Sequence, residues 1–390
     1  GNIVGCTADE GGGVYVLGSF TMNGGSITGC VAEECGGGVY VLGTFTMNSG
    51  SIIGCTADEG GGVNARGVLT MNGGEIKNCT AKKGGALYLY GTMNAGGGTV
   101  DGTVVLDTKP SGSKGCIQNI QGSKETEFKG DVTNIGLIDS GKFFGKVTVG
   151  NNGFEGIIRN GIFNGPVTTV SAGGRARITG GTFNDTVTFD RGTITRGTFN
   201  GDVEVKETEG IPDPPTISGG TYNGLIKNFN PKAEFNGVHS PLGIVGTEPK
   251  AINGHSYHKV TFNTAGGTMN YTERYFCDEK LISEDISAIR DGYVFSGWFK
   301  SDGSKWDHSK DNVTSDITLT AHWSKNLSNG SGTESDPYRI SSAEELKAFR
   351  DIVDGKNGQV KNNKVCAVLE KDIVLNEGTF DENGIYSLSN

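Results

Sequence analysis

Hydrophobic and polar residues alternate along the first hundred positions in bursts of about three to five residues. In one burst Val14 and Val16 flank Tyr15. A period of two places successive side chains on opposite faces of a β-strand. Glycines and Asn-Gly pairs separate the bursts, and these residues supply the positive φ of tight corners. The pattern therefore predicts short strands joined by sharp turns, with Val and Met on one face and Tyr, Thr and Asn on the other.

The same stretch, such as "GGGVYVLGTFTMNSGSIIGC" at 36–55, recurs along the chain. Its copies cover 11–30, 36–55, 60–79 and 84–102. Cysteine recurs at intervals of 24, 25 and 24 residues, at Cys6, Cys30, Cys55 and Cys79. A fixed period of this length is typical of a solenoid with one coil per repeat. Two aliphatic ladders are then expected inside the tube, Ile3, Ile27, Ile52, Ile76 and Val14, Val39, Val63, Leu87.

After about residue 125 the repeat changes to a Gly-x-aromatic unit. The aromatic residues follow one another at intervals of 20, 20, 16 and 23, at Phe143, Phe163, Phe183, Phe199 and Tyr222. We expect the solenoid to continue with coils that are smaller on average, and the column Phe143, Phe163, Phe183 to lie in its core. The stretch 208–215 is predicted to form a loop.

These repeats resemble the right-handed parallel β-helix of bacterial surface proteins and of the pectate-lyase-like superfamily, over residues 1–245. The resemblance implies an all-β solenoid. We expect coils of about 24 residues over 1–125 and mostly smaller coils over 126–250. Adhesins, lyases, glycosidases and phage tailspikes all use such coils, so the architecture does not select an activity.

Residues 258–323 change character and contain all three tryptophans of the chain. An Asn-x-x-Gly-Gly turn, a Gly-Tyr-x-Phe-x-Gly-Trp core and a closing Ala-x-Trp are formed by Asn263, Gly266, Gly267, Gly292, Tyr293, Phe295, Gly297, Trp298, Ala321 and Trp323. This pattern closely resembles the Listeria–Bacteroides repeat, the B-repeat of internalins. The resemblance implies a small β-grasp-like module at 256–324, of a kind found on secreted and cell-surface bacterial proteins.

The last segment, 325–390, combines a helix signal with strand signals. Ser342 and Glu345 form a capping box, and the face of Leu346, Phe349 and Val353 ends at Gly355. Two short strands are predicted within 365–375. Gly332, Thr333, Asp336, Pro337, Tyr338 and Ile340 resemble the segment that caps β-helices in gut bacterial surface proteins and IgA-peptidase-like adhesins. The resemblance implies that a further repeat domain follows, so we interpret the chain as a piece of a longer protein.

Composition narrows the functional classes. The net charge of −10 argues against a nucleic-acid partner, which requires a basic surface for phosphates. No run of about 18 apolar residues is present, so no membrane insertion is expected in this fragment. The hydrophobic fraction of 34% suits a thin structure with a narrow core.

The eight cysteines allow two interpretations. The repeated ones stand at one coil position, about 4.8 Å apart between neighbouring coils. Such a ladder favours buried free thiols that pack as small hydrophobic groups. Disulfides between coils are the alternative, although this spacing lies near the lower geometric limit for them. The spacing expected of a zinc site is absent.

Acidic pairs stand just before the glycine run of three copies, where the fourth copy carries Lys82 and Lys83. They are Asp9, Glu10, Glu33, Glu34, Asp58 and Glu59. Like charges stacked in register are unfavourable unless they are solvated, paired or bridged by a cation. Two hypotheses stay open: a calcium site, and a solvated corner that the lysines partly neutralise. No other cofactor is expected.

Two further columns are polar or aromatic. Tyr15, Tyr40 and Tyr88 are expected to face outward, where a row of aromatic rings could contact a glycan or simply stabilise the sheet. A second column is expected to form a ladder of hydrogen-bonded amides, and it contains Asn23, Asn48, Asn72 and Asn94.

A catalytic constellation is not apparent. The acidic residues of the second stretch do not recur at one coil position, and all five histidines lie outside the coils proper. The sequence therefore favours a non-catalytic adhesin or stalk of a secreted or cell-wall-attached bacterial surface protein. Its expected partner is a host surface glycan or protein, and the fragment is expected to be monomeric. A polysaccharide lyase or glycoside hydrolase is the alternative, and an accessory region of a surface peptidase is a third.

Overall fold

The computed structural model of the protein describes most of the chain. The described residues are 1–108, 114–119, 125–134, 136–150, 155–170, 175–207, 213–278, 280–356, 359–373, 378–380 and 386–388. Most of the loop predicted at 208–215 lies outside them. The chain divides into two units, one formed by Gly1–Tyr257 with Tyr275–Asp278 and the other by His258–Arg274 with Glu279–Asn390. Each unit is described by itself below.

The first unit is built from stacked coils whose strands form three sheets. The first sheet contains Asn2–Val4, Ser19–Thr28, Thr44–Ile53, Val68–Met71, Glu75–Lys77, Thr92–Ala95, Thr99–Asp101, Cys116–Asn119, Glu127–Phe128, Leu137–Ile138, Lys142–Phe143, Gly156–Ile158, Ile162–Phe163, Ala176–Phe183, Gly192–Phe199, Thr216–Ile217, Thr221–Tyr222, Glu234–Phe235 and Lys250–Ala251. The second sheet contains, from this unit, Val14–Val16, Val39–Val41, Val63–Ala65, Leu87–Leu89, Val104–Leu106, Val132–Asn134, Val147–Val149, Val167–Thr169, Val187–Phe189, Val203–Val205, Ile226–Asn228 and Ile244–Gly246. The third sheet contains Thr7–Glu10, Val31–Cys35, Thr56–Glu59 and Thr80–Lys83.

Neighbouring coils pair in parallel and in register. Ile27 lies opposite Ile52, which lies opposite Ile76, so each repeat stacks directly on the one before it. Val39 and Val63 pair in the same way in the second sheet. The parallel β-helix predicted from the period is therefore confirmed, together with its aliphatic ladders.

The core changes along the tube. In the first coils it is filled by fully buried Val, Ile, Met and Cys side chains, such as Met47 and Ile52. Later, aromatic rings stack face to face with centroids 4.8 to 4.9 Å apart. The stack contains Phe128, Phe143, Phe163, Phe183, Phe199 and Tyr222. The predicted aromatic core is confirmed, and Phe128 extends it by one ring.

Each glycine of the run Gly36, Gly37 and Gly38 is required for its own structural reason. Gly36 has φ of 67°, which an L side chain rarely adopts. A Cβ on Gly37 would lie 2.3 Å from the carbonyl oxygen of Thr56 in the next coil. A Cβ on Gly38 would lie 2.6 Å from both the carbonyl oxygen of Gly62 and Cγ2 of Ile52. Three glycines are therefore needed because this corner is both left-handed and packed against its neighbour.

The second unit opens with a mixed arrangement of strands around a tryptophan. The strands that lie wholly or partly in this unit are Tyr257–Asn263, Glu273–Cys277, Lys280–Leu281, Tyr293–Phe299, Asn312–Val313 and Ile317–Lys325. Trp298 is fully buried against Phe262, with ring centroids 4.7 Å apart, and its indole Nε1 donates to the carbonyl oxygen of Ile286. A Cβ on Gly267 would lie 2.4 Å from the Trp323 ring, which explains the second glycine of the turn.

The remaining elements are Tyr338–Ile340, the helix Ala343–Asp354, Ala367–Leu369, Gly378–Phe380 and Tyr386–Leu388. Ser342 caps the helix by accepting from the Glu345 backbone N–H, and Gly355 ends it at φ of 67°, as predicted. The reciprocal bond differs from a capping box, because the Glu345 carboxylate accepts from Ser341. Among the described residues, no helix has the length and apolar character needed to cross a membrane.

The face that the helix buries is not the predicted one. Glu345, Ala348 and Asp351 are its buried residues. The predicted apolar face of Leu346, Phe349 and Val353 is only half-buried. Polar partners decide this orientation: Ser324 donates to Asp351, and Lys325 lies 3.1 Å from the Glu345 carboxylate. Of the strands predicted within 365–375, Ala367–Leu369 is observed, and 374–375 lie outside the described residues.

Candidate functional site

The tyrosine column lies on the outer side of the second sheet, but most of it is covered. Tyr15 is 43% exposed, whereas Tyr40 is 2% exposed and Tyr88 is fully buried. Register places Tyr15 opposite Tyr40 and, through Asn64, continues the row to Tyr88. The expectation of an exposed row is therefore wrong for Tyr40 and Tyr88. Glycan contact at this column stays a prediction, and Tyr15 is its accessible member.

Arg66 and the neighbouring ring explain why Tyr40 is covered. The Arg66 guanidinium lies 5.4 Å from the centroid of the Tyr40 ring and contacts Cys35 Sγ at 3.9 Å. Tyr15 packs edge-on against the other side, with centroids 5.2 Å apart. A cation over an aromatic face is attracted by the ring's electrons. Burial raises the pKa of Tyr40 to about 12, so this phenol keeps its proton at alkaline pH values where an exposed tyrosine loses it.

Tyr88 is held by hydrogen bonds at its hydroxyl. It donates to the Asp107 carboxylate, and the hydroxyl of Tyr90 lies 3.1 Å away. Burial, followed by the bond to Asp107, raises the pKa of Tyr88 above its ordinary value. A ring fixed in this way cannot turn outward to stack on a sugar without leaving Asp107 without its donor.

The acidic corner lies on the third sheet, but its carboxylates do not stack as predicted. Val31–Cys35 has one residue more than the strands beside it, and the resulting register shift places Cys35 between Glu10 and Glu59. The acidic pairs therefore do not run in register through three coils. They comprise Asp9, Glu10, Glu33, Glu34, Asp58 and Glu59.

Ion pairs offset part of this charge. Lys82 lies 2.7 Å from Asp58, and Lys83 lies 3.1 Å from Glu59. In the part of the chain that the structure describes, no group of three or more His, Cys, Asp or Glu residues is placed to hold a metal ion. These ion pairs support the hypothesis of a solvated corner that the lysines partly neutralise. Calcium binding stays a prediction that no observed contact supports.

The cysteine ladder consists of free thiols. Cys30 and Cys55 are fully buried and Cys79 is nearly so, while Cys6 at the first coil is exposed. Cys55 Sγ lies 3.5 Å from the carbonyl oxygen of Ile53. Its hydrogen bond with Cys79 and its burial raise the pKa of Cys55, so the group is a neutral thiol. These cysteines pack the tube.

Amide ladders join the coils on the outside. Asn48 Nδ2 donates to Asn23 Oδ1 and Asn72 Nδ2 donates to Asn48 Oδ1, both at 2.7 Å. Asn94 departs from the predicted column by donating to Thr70 Oγ1 at 3.1 Å. A second ladder that the sequence analysis missed has donor to acceptor distances of 2.7 to 2.8 Å, through Asn164, Asn184, Asn200 and Asn223. Its signal is the Asn that directly follows each of the last four stacked aromatic residues, Phe163, Phe183, Phe199 and Tyr222.

In the second unit, a cavity of about 320 Å³ lies between the strand Ile317–Lys325 and the helix. Its lining comprises Arg290, Tyr293, Trp323, Ser324, Lys325, Glu344, Lys347, Ala348, Arg350 and Asp351. Asp351 is 3% exposed and accepts from Ser324 and Arg350. The bonds to Asp351 give this carboxylate a structural role in holding the helix.

Comparisons with known proteins identify a known domain family within the second unit. Residues 258–322 match the Listeria-Bacteroides repeat domain family. Over 148 residues the chain is 29% identical to internalin H of Listeria monocytogenes serovar 1/2a, an alignment that covers 36% of this chain and 25% of that protein. The chain thus spans about a quarter of the length of this curated relative. No solved structure matches the chain. Residues 258–322 are therefore a Listeria-Bacteroides repeat domain, which this chain joins to a parallel β-helix.

Proposed function

We propose that the chain is a non-catalytic part of a secreted or cell-wall-attached bacterial surface protein, in which the β-helix acts as a stalk and presents a face to a host glycan or protein. The partial similarity to an internalin and the Listeria-Bacteroides repeat domain support a surface protein. The adhesive and stalk roles are our own inference from the construction of the tube.

The observation that carries this proposal is that outward side chains bond to the equivalent residues of the next coil. The amide ladder through Asn23, Asn48 and Asn72 is one example, and the second ladder is another. Each such bond resists sliding or bending of one coil on the next, as do the continuous backbone ladders beneath. Outward side chains that bond to the next coil suit a mechanical element that projects a binding surface.

The acidic side chains of the coils support the same interpretation. A β-helix lyase or glycosidase needs carboxylates that are free to exchange protons beside the substrate. Here many carboxylates pair with lysine or arginine, including Asp58, Glu59, Asp139, Glu155, Glu204, Asp213 and Glu234. Asp190 is buried and accepts from Thr169. These pairings favour the stalk over the enzyme.

The test is a screen of the whole chain against mucin glycans, matrix proteins and plant and bacterial polysaccharides, with binding and product release recorded in the same wells. The proposal predicts binding to at least one surface ligand without new reducing ends or unsaturated products. Depolymerisation of any polysaccharide would overturn the non-catalytic assignment. Complete absence of binding would remove the adhesive role and retain the stalk.

Tyr15 offers a sharper version of the same screen. If the tyrosine column contacts a sugar, Tyr15→Ala should weaken that binding, because Tyr15 is the exposed ring of the column. Tyr88→Phe is the matched control, since that ring is fully buried and can only report structural damage. Equal binding by wild type and Tyr15→Ala would place the contact elsewhere.

A further inference from the structure

Half of the chain's arginines fall within 38 residues of the solenoid. We define this arginine patch as Arg159, Arg175, Arg177, Arg191 and Arg196. They belong to three successive coils of the first sheet, whose strands are Gly156–Ile158, Ala176–Phe183 and Gly192–Phe199. The concentration of cationic groups contrasts with the net charge of −10 for the whole chain.

Strand register places the patch on adjacent rungs. Ala176 pairs with Gly192, so Arg175 and Arg191, which immediately precede them, stand at the same coil position. Further along the same two strands, Thr179 pairs with Arg196. Strands in such a sheet lie about 4.8 Å apart, so the backbones of Arg175 and Arg191 stand about that distance apart along the tube axis.

The patch carries more positive charge than its carboxylates offset. Asp213 accepts from both Arg175 and Arg191, and these bonds hold the pKa of Asp213 below its ordinary value. Arg177 lies 3.4 Å from the Glu155 carboxylate. The other two arginines differ: Arg159 lies 3.8 Å from Asp139, whereas Arg196 makes no ion pair with any described residue. Five guanidinium groups therefore face three carboxylates.

The arginines also differ in access. The side chains of Arg159, Arg175 and Arg177 are 57%, 58% and 50% exposed, and Arg196 is exposed as well. Arg191 is largely buried, and its Nε is a buried donor without a hydrogen-bond partner. The patch thus combines one arginine fixed at the base with four that reach solvent.

We propose that the arginine patch binds an anionic polysaccharide through the carboxylate or sulfate groups of successive sugars. A guanidinium group presents a planar fork of donors that matches such anions bidentately. Donors repeated along the tube suit a polymer that presents its charges at intervals. The inference extends the proposed function, because a surface stalk is the setting in which the tube would meet such a polymer.

A nucleic acid is the less suitable polyanion. Duplex DNA carries about one charge per 1.7 Å of axis, and proteins that bind it neutralise many phosphates together. Five arginines in a chain with net charge −10 cannot supply a comparable field. DNA is nevertheless included in the test as a competitor.

The experiment titrates the whole chain over immobilised heparin at low and high salt, with neutral dextran and a DNA duplex as alternative surfaces. The test variant combines Arg159→Gln, Arg177→Gln and Arg196→Gln. The matched control combines Lys77→Gln, Lys82→Gln and Lys83→Gln, which removes the same charge from coils outside the patch. Thermal unfolding of each variant checks that the solenoid is intact.

We expect wild type to bind heparin and not dextran, with affinity that falls as salt rises. The arginine variant should bind about tenfold more weakly, and the lysine variant should stay within about twofold of wild type. Absence of heparin binding, equal loss in both variants, or tighter binding to DNA would each overturn the proposal. These results leave the surface assignment intact, because that assignment is tested by location on the cell.

Discussion

The coils before residue 107 enclose a different core from the coils after residue 126. The early coils have a third sheet, which in the described residues ends at Thr80–Lys83, and they are filled mainly by Val, Leu, Ile, Met and Cys. The later coils have two sheets, and one stacked aromatic ring per coil fills the space between them. The coils with a third sheet thus have a mainly aliphatic core, and the coils without it have a core of stacked aromatic rings.

The two stretches of coils should also differ in how well their cores tolerate substitutions. Met is unbranched and adapts to irregular space, so a ladder of Met, Ile and Cys can adjust when one member changes. Stacked rings 4.8 to 4.9 Å apart and within 9° of parallel have no such freedom, because each ring between the two ends of the stack is in contact with two others. The early stretch should therefore be the more adaptable half of the solenoid, and the late stretch the more exacting one.

Phe163→Ala should have the largest effect, because it removes a ring with stacked neighbours on both sides. We expect a loss of about 3 to 5 kcal/mol in the free energy of unfolding, measured by denaturant titration. Met47→Leu, at a fully buried position of the early stretch, should cost less than about 1.5 kcal/mol. Similar costs for Phe163→Leu and Met47→Leu would contradict the proposed difference in tolerance.

Gly38→Ala tests the corner that only the early coils use. Its Cβ would meet the backbone of the next coil at 2.6 Å, so we expect a loss of about 2 to 3 kcal/mol. Gly18→Ala is the matched control, because a Cβ there has nothing within 4 Å and the residue does not have a left-handed φ. The two variants should differ clearly in unfolding midpoint, and equal midpoints would refute the packing explanation of the glycine run.

Alkaline titration tests the covered tyrosine of the early stretch. The pKa of Tyr40 is raised to about 12, and an unfolded tyrosine titrates near 10. The stability that this shift contributes is fully present below about pH 10 and is lost as pH rises toward 12, by about 1.4 kcal/mol per pH unit. Tyr40→Phe should make this part of the pH profile shallower, and Tyr88, whose pKa is also raised, should keep the remaining slope. An unchanged profile would show that Tyr40 is solvated.

Thiol chemistry distinguishes the ends of the cysteine ladder. Cys6 should react rapidly with a disulfide reagent in the folded protein, and Cys55 should react only after unfolding, because Cys55 is fully buried. Unfolding under non-reducing conditions should release all eight thiols. Recovery of six or fewer would indicate disulfides between coils. Cys55→Ser should cost about 1 to 2 kcal/mol, since it places a hydroxyl in an apolar column.

The amide ladders should give the smallest effects. Asn184→Ala and Asn48→Ala each remove the middle of a ladder that faces solvent, so each should cost about 0.5 to 1.5 kcal/mol in the free energy of unfolding. Similar values at the two positions are expected, because the ladders have the same geometry in both stretches. A cost near zero at both would remove the argument that outward side chains stiffen the tube.

Much of the fold could be predicted because the strand period and the repeat period are both visible in the chain. Inward positions such as Ile52 and Phe163 follow directly from them. Outward positions do not, because Tyr40 is covered by Arg66, and nothing in the alternation indicates that contact. The buried face of the helix was mispredicted for a similar reason, since Asp351 of the helix accepts a hydrogen bond from Ser324 of a strand.

The arginine patch illustrates the same limit. Its members occupy several coil positions: Arg175 and Arg191 share one, whereas a shift of register near Thr179 places Arg196 opposite that residue. A column search through the sequence therefore does not align them. The paired strands show which of these residues stand opposite one another.

The proposal that this solenoid lies on the bacterial surface can be tested on intact cells. The most direct measurement treats intact cells of the source bacterium with a membrane-impermeant amine label and a protease, then detects the protein with antibodies raised against this chain. We expect label and cleavage to reach exposed side chains such as Lys82 before the cells are broken. Labelling and cleavage that appear only after lysis would contradict it.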